Sequence, residues 1–184
     1  MGLGKTLQAL AVLLARANHG PSLVIAPTSV CFNWQQEALK FAPTLNIKLF
    51  ADSANTLHRQ ELLNELSPFD CVIISYGLLQ RESEILKDVQ WHTIVADEAQ
   101  ALKNPLAKRT KAAFALKSDF KMITTGTPIE NNLTELWSLF RFINPGLLGN
   151  IKRFGERFSL LIENANEDPL AARKASQALK ALIQ

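Results

Sequence analysis

A chain of 184 residues with 47% hydrophobic and 20% charged residues is long enough for one α/β domain with a real core, and its composition excludes dominant disorder. The net charge of +3 gives nucleic-acid binding only a small lift by itself. No apolar run has the length of a membrane span and no basic region precedes "LQALAVLLA", so neither a membrane protein nor a signal peptide is expected and the chain reads as cytoplasmic.

Apolar segments of two kinds alternate along the chain. "KTLQALAVLLARA" spaces Leu7, Leu10, Ala11 and Leu14 as one helical face and stops at His19-Gly20-Pro21. "SLVIAP" (22–27) predicts a buried strand ended by proline, and "VCFNWQQEALKF" (30–41) returns to helical spacing. "IKLF" predicts a short strand and "TLHRQELLNEL" (56–66) an amphipathic helix. "DCVIISY" (70–76) and "WHTIVADE" (91–98) are apolar runs without alternation, as expected of strands covered on both faces. "PLAKRTKAAFAL" predicts a helix starting at Pro105, "FKMITT" the last strand, and "LTELWSLFRFI" the helix after it. After Gly149 no strand is predicted, and Ala171, Ala175, Ala178, Leu179 and Leu182 mark one face of a closing helix. The two cysteines, Cys31 and Cys71, lack metal-ligand spacing and read as buried thiols.

Strands and helices in this order predict a doubly wound parallel sheet with helices on both faces. Ligands of such sheets bind at the carboxyl ends of the strands. The clusters "APT", "SYG", "ADEAQ" and "TGTP" each directly follow an apolar run, so all four fall on that one edge.

Two of these features carry chemistry. In "GLGKT", Gly2, Leu3 and Gly4 offer backbone N–H groups to a polyphosphate, with no Cβ on either glycine to hinder the approach. Lys5 supplies charge to the β- and γ-phosphates, and Thr6 a hydroxyl to Mg²⁺. The first position of the full pattern would precede Met1, and alone such a stretch is as often an ordinary glycine turn. Asp97 and Glu98 follow a strand; one acid there can hold Mg²⁺ through water and the other polarise the water that attacks the γ-phosphate. Solvated acids at a strand end are common, but a GKT helix start and a strand-end DE pair together are the two halves of one NTPase site.

The remaining blocks are more specific. "APTSVCFNWQQE", "SYGLL", "DEAQALKNP" and "TTGTPIENNLTELWSLFRFINPGLLG" resemble, in order and spacing, the first motor lobe of Swi/Snf-family ATPases, DNA-translocating members of helicase superfamily two, with the flavour of the bacterial members. The resemblance implies a RecA-like ATP-binding lobe over residues 1–149, incomplete at the N-terminus, and a helical extension over 150–184 leading toward a second lobe. It also implies ATP and Mg²⁺ as cofactors and double-stranded DNA as partner, in the nucleoid of a bacterial cytoplasm. RNA polymerase and nucleoid proteins are the open candidates for the displaced target.

Carried over by position, Gly2, Leu3, Gly4, Lys5 and Thr6 match the nucleotide loop, with Thr6 and Asp97 toward the metal. Lys5, Asp97, Glu98 and Gln100 match the catalytic set, although Gln100 stands where the family often has His. Thr125, Gly126 and Thr127 match the segment linking hydrolysis to motion. Pro27, Thr28, Ser75 and Tyr76 match positions used around the DNA backbone, where hydroxyls and backbone N–H groups suit phosphate. Thr28-Ser29 equally suits a helix cap, Trp34 and Trp137 read as core, Asn131 as a loop anchor, and "KNPLAKRTK" as a basic helix surface. The family's loop is preceded by a strand and an acidic pair and its second lobe supplies an arginine. Neither is found here, so a fragment with negligible activity alone is expected. A strand-separating DEAH-type helicase and a non-catalytic nucleotide- or DNA-binding module are the alternatives.

Overall fold

A computed structural model describes residues 4–53, 55–126, 133–159 and 169–183 of the chain. Its centre is a five-stranded, wholly parallel sheet. The strands are β1 (Ser22–Ala26), β2 (Asn46–Leu49), β3 (Asp70–Ser75), β4 (Gln90–Ala96) and β5 (Lys117–Ile123), in the spatial order β2-β3-β1-β4-β5. Every residue of β1 and β3 is buried, which is why both segments read as unbroken apolar runs.

Successive side chains of a strand point to opposite faces, and β1 divides its residues accordingly. Val24 and Ala26 pack with Leu10 and Leu13 of α1 (Lys5–Arg16) and with Trp34 and Ala38 of α2 (Thr28–Phe41). Leu23 and Ile25 enter the larger core on the other face, with Val72, Ile74, Trp91, Ile94 and Phe142. That face is covered by α3 (Thr56–Asn64), α4 (Tyr76–Arg81), α5 (Ser83–Leu86), α6 (Lys108–Ala115) and α7 (Leu133–Ile143). Helices lie on both faces, as the alternation of segments predicts.

The segment α7 is apolar on two sides. Leu139 and Phe142 join the sheet core, whereas Leu136 and Trp137 join Phe154, Phe158, Ala175 and Leu179. These last residues belong to the C-terminal helices α8 (Ile151–Phe154) and α9 (Pro169–Ile183) and to the π-turn Gly155–Ser159 between them. The Trp137 indole N–H donates to the Gly149 carbonyl at 3.1 Å.

Two local expectations are corrected, and one helix is added to the predicted elements. The helix placed at Pro105 begins at Lys108, because Asn104 Oδ1 accepts from the Leu106 N–H at 3.0 Å and its carbonyl accepts from the Ala107 N–H at 3.2 Å. Pro105 therefore occupies a turn, where its fixed φ is equally suited. The helix placed at Val30 begins at Thr28 with Pro27 as its N-cap, and no side chain caps it. Between β3 and β4, "YGLLQR" forms α4, a helix too short for its periodicity to be read.

Candidate nucleotide site

The strand order decides which loops meet. Because β1 lies between β3 and β4, the loops after β1, β3, β4 and β5 open on one edge of the sheet, beside the start of α1. A cleft of about 430 Å³ lies there, lined by Lys5, Thr6, Trp34, Asp97 and Glu98 among others.

The acid side of this cleft is tightly built. The Asp97 N–H donates to the Ile25 carbonyl at 2.8 Å, carrying the β4–β1 ladder one residue past the strand. The Thr124 N–H donates to Ala96 O and the Ala99 N–H to Thr124 O, each at 2.9 Å, so the end of β5 clamps the turn. The buried Asp97 carboxylate has three donors: Oδ1 accepts from the Thr124 hydroxyl and from the Glu98 N–H, and Oδ2 accepts from the Trp34 indole N–H at 2.9 Å. The Tyr76 hydroxyl donates to the Asp97 backbone carbonyl at 2.8 Å. Burial is the largest cause that raises the Tyr76 pKa above its ordinary value, followed by the charges of Asp97 and Glu98.

Glu98 stands in the left-handed region, at φ 49° and ψ 53°, a conformation costly for a residue with a Cβ and most often found at functional sites. It aims the carboxylate at the cleft, where Gln100 Nε2 donates to Oε2 at 2.7 Å and Lys5 Nζ lies 3.8 Å from Oε1. The Thr125 hydroxyl in turn donates to Gln100 Oε1 at 3.0 Å. Gly126 closes this side: a Cβ there would lie 3.2 Å from Lys5 Nζ and 3.3 Å from Glu98 Oε2.

The lysine side is looser. Gly4, at φ 70°, caps α1 without a side-chain hydrogen bond. A positive φ of this kind suits glycine. The Lys5–Glu98 pair leaves both side chains about 30% exposed, and so exposed a pair contributes little stability. The first-turn N–H groups of α1 have no partner within the helix and a positive dipole behind them, which suits phosphate.

Of the residues expected from the sequence, Lys5, Thr6, Asp97 and Glu98 line one cleft, and Gln100, Thr125 and Gly126 stand directly behind it. Gly2, Leu3, Thr127 and Asn131 lie outside the described residues. The expected DNA-backbone set divides. Thr28 is exposed and Pro27 half-buried at the end of β1. Ser75 and Tyr76 are buried: the Ser75 hydroxyl accepts from the Leu78 N–H at 3.2 Å as the cap of α4, and the Tyr76 hydroxyl is spent on Asp97. Thr124 and the polar end of Trp34 were not anticipated as site residues. The doubled threonine of "ITTGT" was a usable signal for the first; nothing local marks the second.

The donor set fits Mg²⁺–ATP. A lysine, a hydroxyl and two carboxylates converge on one cleft, and among the described residues no group of three or more His, Cys, Asp or Glu forms a metal cage. Mg²⁺ is ordinarily held by one or two carboxylates together with substrate phosphates and water. Among the described residues no helix is long and apolar enough to cross a membrane.

Comparison with known proteins gives one consistent result. The family model described as "SNF2-related domain" matches residues 1–184. The chain is 41% identical over 172 residues to a putative ATP-dependent helicase/translocase, YwqA, of Bacillus subtilis, covering 91% of this chain and 18% of that protein. It is 37% identical over 193 residues to the TATA-binding protein-associated factor mot1 of Aspergillus fumigatus, covering 97% of this chain and 10% of that protein. The SWI2/SNF2 ATPase core of Sulfolobus solfataricus in complex with dsDNA superposes with a TM-score of 0.84 at 40% identity, over 100% of this chain and 37% of that one. The chain thus spans less than a fifth of the length of these two relatives.

Proposed function

The chain belongs to the SNF2-related family, and from that premise we propose that it is the nucleotide-binding lobe of an ATP-driven motor that moves along double-stranded DNA and displaces bound proteins. Residues 1–149 form the lobe in this reading, and 150–184 begin the helical link to a second lobe. The observation that carries the nucleotide-binding reading is the convergence of Lys5, Thr6, Asp97 and Glu98 on one cleft, with no side chain at Gly126 to crowd Lys5 and Glu98.

The Thr6 hydroxyl and Asp97 would hold Mg²⁺, which when bound would supply neutralisation of phosphate charge. Lys5 places a point charge against the same phosphates. Glu98 is the group that orients and polarises the attacking water. Gln100 fixes its Oε2, leaving Oε1 toward Lys5 and the cleft. Thr125 holds Gln100, so a movement of the segment after β5 reaches Glu98 through two hydrogen bonds. Thr28 and Pro27, at the exposed end of β1, are the side chains best placed for a DNA backbone. Ser75 and Tyr76 support this edge from within.

The reading is tested by binding and turnover. The chain alone is expected to bind a fluorescent ATP analogue in Mg²⁺, and Lys5→Ala to abolish that binding. Hydrolysis by the chain alone is negligible, because the transition-state arginine belongs to the other lobe in this reading. Robust DNA-stimulated hydrolysis by the isolated chain, abolished by Lys5→Ala and Glu98→Gln, would overturn the division of labour. Absence of nucleotide binding would overturn the site itself. Separation of duplex strands by the two-lobed protein would favour the strand-separating alternative.

A further inference from the structure

The hydrogen bonds around Asp97 bring together elements far apart in sequence. Trp34 and Asp97 are 63 positions apart, yet the indole N–H meets Oδ2 at 2.9 Å. Tyr76, 21 positions before Asp97, meets its backbone carbonyl at 2.8 Å. Trp34 is 2% exposed and packed among Ala38, Val24, Ala26 and Val95, so its ring cannot swing away without opening the core on the α1–α2 face. Tyr76 is equally fixed within the core on the opposite face. One donor from each face of the sheet therefore reaches the same acid, one through its side chain and one through its main chain.

We infer that Trp34 and Tyr76 are positioning residues for the metal site: each fixes Asp97 so that its carboxylate meets Mg²⁺ in a single orientation. This rests on the nucleotide-site reading above. With Oδ1 occupied by the Thr124 hydroxyl and the Glu98 N–H, the indole N–H takes one lone pair of Oδ2 and leaves the other toward the cleft. Without it Oδ2 loses its fixed donor and the carboxylate is held at Oδ1 alone, beside Lys5 and Thr6 of the same cleft. Groups that orient a metal ligand are typically worth about 10- to 100-fold in metal affinity or activity.

The test measures binding of a fluorescent ATP analogue to this chain in Mg²⁺ and in EDTA, for wild type, Trp34→Phe and Tyr76→Phe. Trp34→Phe is expected to lower affinity about 10-fold in Mg²⁺ and less than about two-fold in EDTA. It is also expected to raise the Mg²⁺ concentration at half-saturation by a similar factor. Tyr76→Phe, which removes only an oxygen, is expected to show the same split at about two- to three-fold. In ¹⁵N–¹H spectra the Trp34 indole resonance, identified by its loss in Trp34→Phe, is expected to move upfield in Asp97→Asn. It is also expected to shift on addition of Mg²⁺ with nucleotide. Equal losses in Mg²⁺ and EDTA would overturn the inference, as would an indole resonance indifferent to Asp97→Asn. If Trp34→Phe does not fold, the Mg²⁺-against-EDTA split of Tyr76→Phe decides. Loss of binding in Lys5→Ala with Mg²⁺ dependence intact in both aromatic variants would sink the inference and leave the nucleotide site standing, whereas a wild-type chain that binds no nucleotide overturns both.

Discussion

The two walls of the cleft are built differently. The acid wall, from Ala96 to Ala99, is held by hydrogen bonds from β1, α2, α4 and the residues after β5. Among the described residues, the lysine wall, from Gly4 to Leu7, is held by its own helix and by a partly exposed ion pair 3.8 Å long. The difference follows from what each must do. In the proposed reading the Asp97 carboxylate keeps one orientation toward a metal that tolerates little angular error, and its wall is paired in advance. A lysine that binds phosphate as a point charge needs reach, and the phosphate itself supplies its partner.

The largest expected effect breaks the comparison at its functional centre. Glu98→Gln in the two-lobed protein should lower turnover by about 10² to 10⁴-fold while nucleotide binding survives, measured by phosphate release alongside a binding titration. Next, Thr124→Val leaves Asp97 Oδ1 short of a buried donor and should destabilise the chain by about 1–3 kcal/mol. Thr6→Val on the lysine wall should stay within about 0.5 kcal/mol and lose only Mg²⁺-dependent binding. Urea denaturation of the two variants side by side measures the contrast, and equal destabilisation would erase the distinction between the walls. Gly126→Ala sets a methyl 3.2 Å from Lys5 Nζ and 3.3 Å from Glu98 Oε2. It should weaken nucleotide binding about 10-fold, because the loose wall is the one that must yield, with stability changed by less than about 0.5 kcal/mol. The smallest effect is on backbone strain. Glu98→Asn places a residue tolerant of the left-handed region at φ 49° and should raise stability by a few tenths of a kcal/mol to about 1 kcal/mol, seen as a small rise in the thermal midpoint.

Much of this molecule is legible from local sequence. The apolar runs over 22–26, 70–75 and 90–96 are strands because both faces of each are covered, and no competing period obscures them. The segment 133–143 is helical throughout and its helix ends at Ile143 as expected, since its apolar positions are dense enough to serve two cores. Pro105 misled because proline suits a first helical turn and a β-turn alike, and the choice was made by Asn104. Trp34 was read as core, correctly by its burial and incompletely by its chemistry. The family resemblance assigns Tyr76 to the DNA backbone, whereas α4 turns its ring inward and its hydroxyl donates to Asp97. For Trp34 and Tyr76 the missing information was the identity of a distant neighbour.

The sequence by itself determined the order of the five strands and the longer helices, the loop lysine, the acid pair and their presence at one edge of a parallel sheet. Those follow from periodicity and from residue chemistry within a few positions. Which strand lies beside which was decided only by the tertiary structure. With β1 between β3 and β4, an indole from α2, a phenol from α4 and a hydroxyl from the end of β5 all reach Asp97. No local pattern encodes that meeting, because a hydrogen bond's partner is fixed by the packing of two faces against one sheet.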